Sequence, residues 1–154
     1  MARGLYIVPT QSCFGESLPS EYVIAEKLYI ENDKGYASGP TFLNQIGICT
    51  WMPKMTYIKS NDFQYNRVVK LKGFVVDNPH TVINKDNKKY LQILDSIEDM
   101  QRYAYDHERP LEIIFHYIMQ HQLDTTILLM LGRKYYNKYV MNQLYLMMEY
   151  YEST

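Results

Sequence analysis

Beyond Asn87 the apolar residues of this chain change their spacing, and that change constrains the fold more than any other feature. Tyr90, Leu91, Ile93, Leu94 and Ile97 recur at helical intervals up to about Met100, the period of one helix face. Pro110 suits a first helical position, where the missing N–H would have had no partner, and Leu111, Ile114, Phe115 and Ile118 follow as a stripe. Asp124 caps a further helix through Ile127, Leu128 and Leu131, with Gly132 as its stop. The last helix begins near Asn137 and carries Val140, Leu144, Met147 and Tyr151. The back of the chain is therefore expected to be a helical tail of about four helices.

The front reads differently. Residues 3–9 predict a short strand ended by Pro9, and residues 10–19 a loop rich in turn formers. Ser20 caps a helix over 21–31, stopped at Asn32-Asp33-Lys34-Gly35. Pro40 opens a second helix through Phe42, Leu43 and Ile46, with Gly47 at its end. Pro53 then blocks helix, and strands are expected over 54–60, 67–71 and 74–76, with a turn near Asn61-Asp62. The fold class is α+β: a small mixed front with a basic β-hairpin, then the helical tail. A polar link at 101–109 is the one plausible boundary, giving a core over 1–100 and a helical extension over 101–154 packed on it as one unit.

The chain has 154 residues, 47% of them hydrophobic, enough for a core in one domain. Its net charge of −1 gives no global attraction to nucleic acid or to an anionic membrane. No apolar run is long enough to span a bilayer and no signal sequence is evident, so a cytoplasmic location is expected. Cys13 and Cys49 form no CxxC pair; free buried thiols are the expected state, with a disulfide left open.

Local charge is less even. Between residues 54 and 72, Lys54, Lys59, Arg67, Lys70 and Lys72 face only Asp62, a local charge of +4. Tyr57, Phe63 and Tyr65 alternate with them, so this hairpin is the best nucleic-acid candidate, by phosphate neutralisation and base stacking. An edge guarded by lysines against aggregation is the competing reading. Gly35, Tyr36, Ser38, Gly39 and Pro40 could cradle an anion at a helix start, but Pro40 removes a donor and no Lys follows, so the stretch reads as a turn and cap. Asn44 reads as a helix-face or capping residue.

Catalytic patterns are weak throughout. His116 and His121 lie five apart and diverge on a helix, and His80-Thr81 has no second copy. Asp95, Glu98 and Asp99 crowd one helical turn and read as a solvated acidic face. Ser38, Ser60 and Ser96 have no nucleophile-elbow context. No catalytic residue, metal site, cofactor or small-molecule substrate is expected. The last helix carries Tyr139, Tyr145, Tyr150 and Tyr151 with Met141, Met147 and Met148 nearly all round, which marks a helix central to the core or a homo-oligomer interface.

At RGLY, FGESLPS, GYASGPTFLNQIGICTWMPKMTYIKS and LQILDSIEDM the chain resembles the AbiEi-like antitoxins of bacterial type IV toxin–antitoxin, or abortive infection, systems. The matching residues are Arg3, Gly4, Tyr6, Phe14, Gly15, Pro19, Ser20, Glu21, Gly35, Tyr36, Ser38, Gly39, Asn44, Gly47, Pro53, Leu91, Leu94 and Asp95, in the family's order. The resemblance covers residues 3–100. It implies a cytoplasmic phage-defence antitoxin whose second domain counteracts a nucleotidyltransferase-like toxin without a stable complex. The family's first domain, a winged helix-turn-helix that binds the promoter, would be ending where this sequence opens, so that half is expected to be missing. The function expected is thus a non-enzymatic antitoxin-type effector domain. The alternative is a nucleic-acid-binding or regulatory module acting through the hairpin 54–72.

Overall fold

The computed structural model describes the backbone of residues 10–12, 15–17, 21–62, 69–71 and 73–152, and the side chains of 23–62 and 73–152. The strand expected over 3–9 lies outside the described residues. Where a loop was expected next, two three-residue strands pair antiparallel, β1 (Thr10–Ser12) with β2 (Gly15–Ser17). Helix α1 (Glu21–Ala25) continues as one π-helical turn, Glu26–Ile30. It stops at Asn32 and Asp33, both with positive φ, a conformation these short polar residues tolerate.

The main sheet has four strands in the order β3 (Gly35–Ala37), β4 (Thr56–Ser60), β6 (Phe74–Asp77), β5 (Val69–Leu71). Strand β3 is antiparallel to β4, with Tyr36 directly opposite Lys59. The expected hairpin between 54–60 and 67–71 is not the pairing adopted. Strand β5 instead turns back through Gly73, at a φ of 81°, onto β6, and β6 lies parallel to β4. Burial explains the order. Phe74, Val75 and Val76 are all buried and take the position with a neighbour on each side. The lysine-bearing β5 is left at the edge.

Between β3 and β4, helix α2 (Gly39–Gln45) has its first five residues buried. It ends as the sequence predicts, at Gly47 with a φ of 88°. Asn44 then donates from its side-chain amide to the carbonyls of Cys49 and Trp51, closing the loop that follows. That loop is tied to the segment after α3 (Lys88–Arg102): Cys49 Sγ and Trp51 Nε1 both donate to Ala104 O, and Thr50 N donates to Asp106 Oδ1.

The helical part consists of α3, α4 (Pro110–Gln120), α5 (Thr125–Tyr135) and α6 (Lys138–Glu152), the tail that the apolar spacing predicts. Asp124 Oδ1 caps α5 by accepting from Thr126 N at 2.8 Å. Gly132 is not the stop of α5. It is buried mid-helix, where a Cβ would lie 2.8 Å from Met141 Sδ and 3.5 Å from Leu94 Cδ2, so its missing side chain lets α3 and α6 close in. Helix α6 buries one stripe, Val140, Leu144 and Met147, and exposes Tyr145, Leu146 and Tyr150.

One apolar core runs through both parts: Ala37, Phe42, Leu43 and Ile48 pack with Ile93, Leu94 and Ile97 and with Ile114, Leu128 and Leu144. Ala25, Ile58, Phe74 and Val76 form a smaller cluster joined by Ile24, Tyr29 and Ile30. Ile58 belongs to this cluster. Its neighbour Lys59 points the other way, as alternation along a strand requires, toward α3.

Candidate functional site

Asp95 is the centre of the most polar part of the interior. It is 1% exposed. Tyr36, from β3, donates its hydroxyl to Asp95 Oδ2. Tyr136, just past α5, donates to Oδ1 at 2.6 Å. Lys59 Nζ, from β4, lies 3.1 Å from the same oxygen. Local structure accounts for each placement. Tyr36 and Lys59 are cross-strand partners, so both reach one point below the sheet. Asp95 sits on the buried face of α3 between Leu91 and Asp99, each one turn away.

Three more side chains extend the cluster. His80, in the loop after β6, places Nε2 2.8 Å from Glu98 Oε2 and 3.9 Å from Asp95 Oδ1, and its ring lies 4.2 Å from that of Tyr136. Asp99, buried, accepts a hydrogen bond from Gly39 N at 3.0 Å. That contact satisfies a free N–H at the start of α2, where Ser38 makes no side-chain cap.

The electrostatics follow from burial. Burial draws the Lys59 ammonium down, but the charges of Asp95 and Asp99 outweigh it and its pKa rises. Burial, then the charge of Asp95, pushes the hydroxyls of Tyr36 and Tyr136 well up, so both stay protonated donors. The hydrogen bond from His80 holds Glu98 below the usual carboxylate range. Asp99 is the exception: burial, and then the neighbouring Asp95 charge, raises it to about 7.

His80, Asp95 and Glu98 are the one set of three among the described residues whose donor atoms converge, within 4.8 Å of one another. The Lys59 ammonium already fills the place a cation would take against Asp95, and both Asp95 oxygens accept hydrogen bonds. The donor set fits an internal ion pair better than a metal.

The residues proposed from the sequence as a partner surface separate. Lys54 is exposed in the loop before β4. Tyr57 is half-buried, packed edge-on against Tyr103 with centroids 5.6 Å apart. Lys59 is not a surface cation; at 7% exposure it belongs to Asp95. Tyr65, Arg67 and Lys72 lie outside the described residues, and only the backbone of Lys70, in β5, is described. The acidic turn is also corrected: Asp95 and Asp99 are buried, because their spacing of four puts both on the face that meets Lys59. Gly35, Tyr36, Ser38 and Gly39 are all buried and Pro53 is half-buried, the positions of scaffold residues. His80 and Tyr136 carry no local signal in the sequence; only the fold brings them to Asp95.

No family model matches the sequence, and no curated protein and no solved structure matches it significantly. Among the described residues no helix is long and apolar enough to cross a membrane.

Proposed function

We propose that this chain is a non-enzymatic effector domain of the antitoxin type, acting in the cytoplasm to counteract a nucleotidyltransferase-like toxin. The observation that carries the reading is the meeting of its motif stretches. Tyr36 and Gly39, from G-Y-x-S-G, hydrogen-bond to Asp95 and Asp99 of the helix that carries L-x-x-L-D, although 59 and 60 residues separate each pair. Two of the stretches on which the resemblance rests, 35–39 and 91–99, therefore meet in one structural unit. The cluster they build is closed. Asp95 is saturated by Tyr36, Tyr136 and Lys59, the arrangement of a scaffold rather than of a reacting group.

The test is growth rescue. The protein is co-expressed with a nucleotidyltransferase toxin encoded beside its gene, and colony formation is counted. Restored growth is expected. A soluble, folded sample that leaves the toxin fully lethal defeats the reading.

A further inference from the structure

Beside Asp99 and Gly39 the sheet and α3 part to leave a cleft of about 250 Å³. Its walls are apolar and aromatic: Met55, Tyr57, Val75 and Tyr103. Its polar groups are Asp77 and Asp99 on one hand and Lys59 and Arg102 on the other. The two cations are not equivalent. Lys59 is neutralised by Asp95 at 3.1 Å, and Arg102 is exposed to solvent. The carboxylates of Asp77 and Asp99 have no ion-pair partner within 4 Å among the described residues, and each accepts a backbone hydrogen bond, from Asn78 N and Gly39 N. Two carboxylates beside two tyrosine rings attract an organic cation, by charge and through the ring faces.

We propose that this cleft is a binding site for a small organic cation, an amine or amidine on an aromatic or short alkyl body, with its charged end on Asp99 and its body along the wall that Met55, Val75 and the Tyr57–Tyr103 pair form. The volume suits a ligand of about ten heavy atoms, smaller than a drug-sized pocket holds. The site lies outside the motif cluster's saturated centre and is independent of the antitoxin reading.

Ionisation of Asp99 gives the site a pH signature. The groups facing it are Asp95 and Arg102 of α3, Lys59 and Tyr57 of β4, Tyr36 of β3, Asp77 of β6 and the nearby Tyr103 and Tyr136. With burial and Asp95 holding it near 7, Asp99 is largely neutral in mild acid and charged above neutrality. A bound cation favours the charged form, so affinity rises with pH across that value.

Phenethylamine tests this, with 2-phenylethanol and phenylacetate as neutral and anionic analogues of the same shape. Amide resonances of Gly39, Tyr57 and Tyr103 are followed in a titration of the whole chain. Saturable shifts are expected with phenethylamine, at least about tenfold weaker with the alcohol and absent with the acid. Asp99→Asn keeps an acceptor for Gly39 N and is expected to weaken phenethylamine binding by at least about tenfold. If that variant does not fold, the wild-type titration decides: phenethylamine must bind more tightly at pH 8 than at pH 5.5. Equal binding of all three probes, no saturable shift, or an affinity indifferent to pH overturns the proposal.

Discussion

Tyr36 of β3 donates its hydroxyl to Asp95 of α3, tying the edge strand of the sheet to the longest buried face in the helical part. Lys59, opposite Tyr36 on β4, reaches the same carboxylate. One buried charge thus fixes how the sheet is set on the helices.

Removing that charge alone is expected to be severe. Asp95→Ala strands the Lys59 ammonium in the interior and should cost about 3–5 kcal/mol in urea unfolding. Neutralising both partners while keeping an acceptor for the tyrosines, as Lys59→Met with Asp95→Asn, is expected to lose less than Asp95→Ala does. A double variant as unstable as Asp95→Ala would show that the penalty is not the unpaired lysine.

The two tyrosines should be coupled. Tyr36→Phe and Tyr136→Phe each delete one hydrogen bond to Asp95 and are expected to cost about 1–2 kcal/mol. Because they share one acceptor, the double variant should depart from the sum by at least about 0.5 kcal/mol. Strict additivity in chemical denaturation would separate them.

Asp99 predicts a direction with pH. Its folded pKa, about 7, stands above the ordinary 3.8, so the folded state holds the proton more strongly. The contribution is fully present below the unfolded pKa and is lost as pH rises through about 7. Asp99→Asn is therefore expected to raise stability at pH 8, by about 1–3 kcal/mol after allowance for solvent relaxation, and to leave it nearly unchanged at pH 4. Denaturation midpoints at the two pH values check this; an equal effect at both would contradict it.

Gly35 has no room for a side chain. A Cβ there would lie 2.1 Å from Tyr29 O and 2.8 Å from Lys59 O, both rigid backbone atoms. Gly35→Ala is expected to cost more than about 3 kcal/mol, or to prevent folding, as a thermal melt would show. Gly47→Ala meets no neighbouring atom but must hold a φ of 88°, and should cost only about 1 kcal/mol.

The helical tail was legible because its signals are local: the stripes of α3 to α6, Pro110 at a start and Asp124 at a cap need no knowledge of the rest of the chain. Gly132 misled because glycine serves two ends, stopping a helix or admitting a neighbour, and only Met141 and Leu94 reveal which. Strands β4, β5 and β6 were found but not their order, since residues 54–60 alternate identically whether β5 or β6 lies beside them, and the three-residue strands β1 to β3 were read as loop and turn. The Asp95 cluster was the least legible. Three acids in one turn read as a wet face until Lys59, Tyr36 and Tyr136 arrive from other parts of the chain.

The reach of Tyr136 also bears on how the chain is made. Synthesis delivers Tyr36, Lys59 and Asp95 first and Tyr136 some forty residues later, a distance set by the 41 positions between Asp95 and its last donor. A nascent chain halted before α5 therefore carries its central carboxylate one donor short, with Ile93, Leu94 and Ile97 bare of Leu128 and Leu144. Closure of the core is therefore expected to wait for α5 and α6 rather than to proceed front first. A chain truncated after residue 120 should be cut rapidly by protease where the full chain resists.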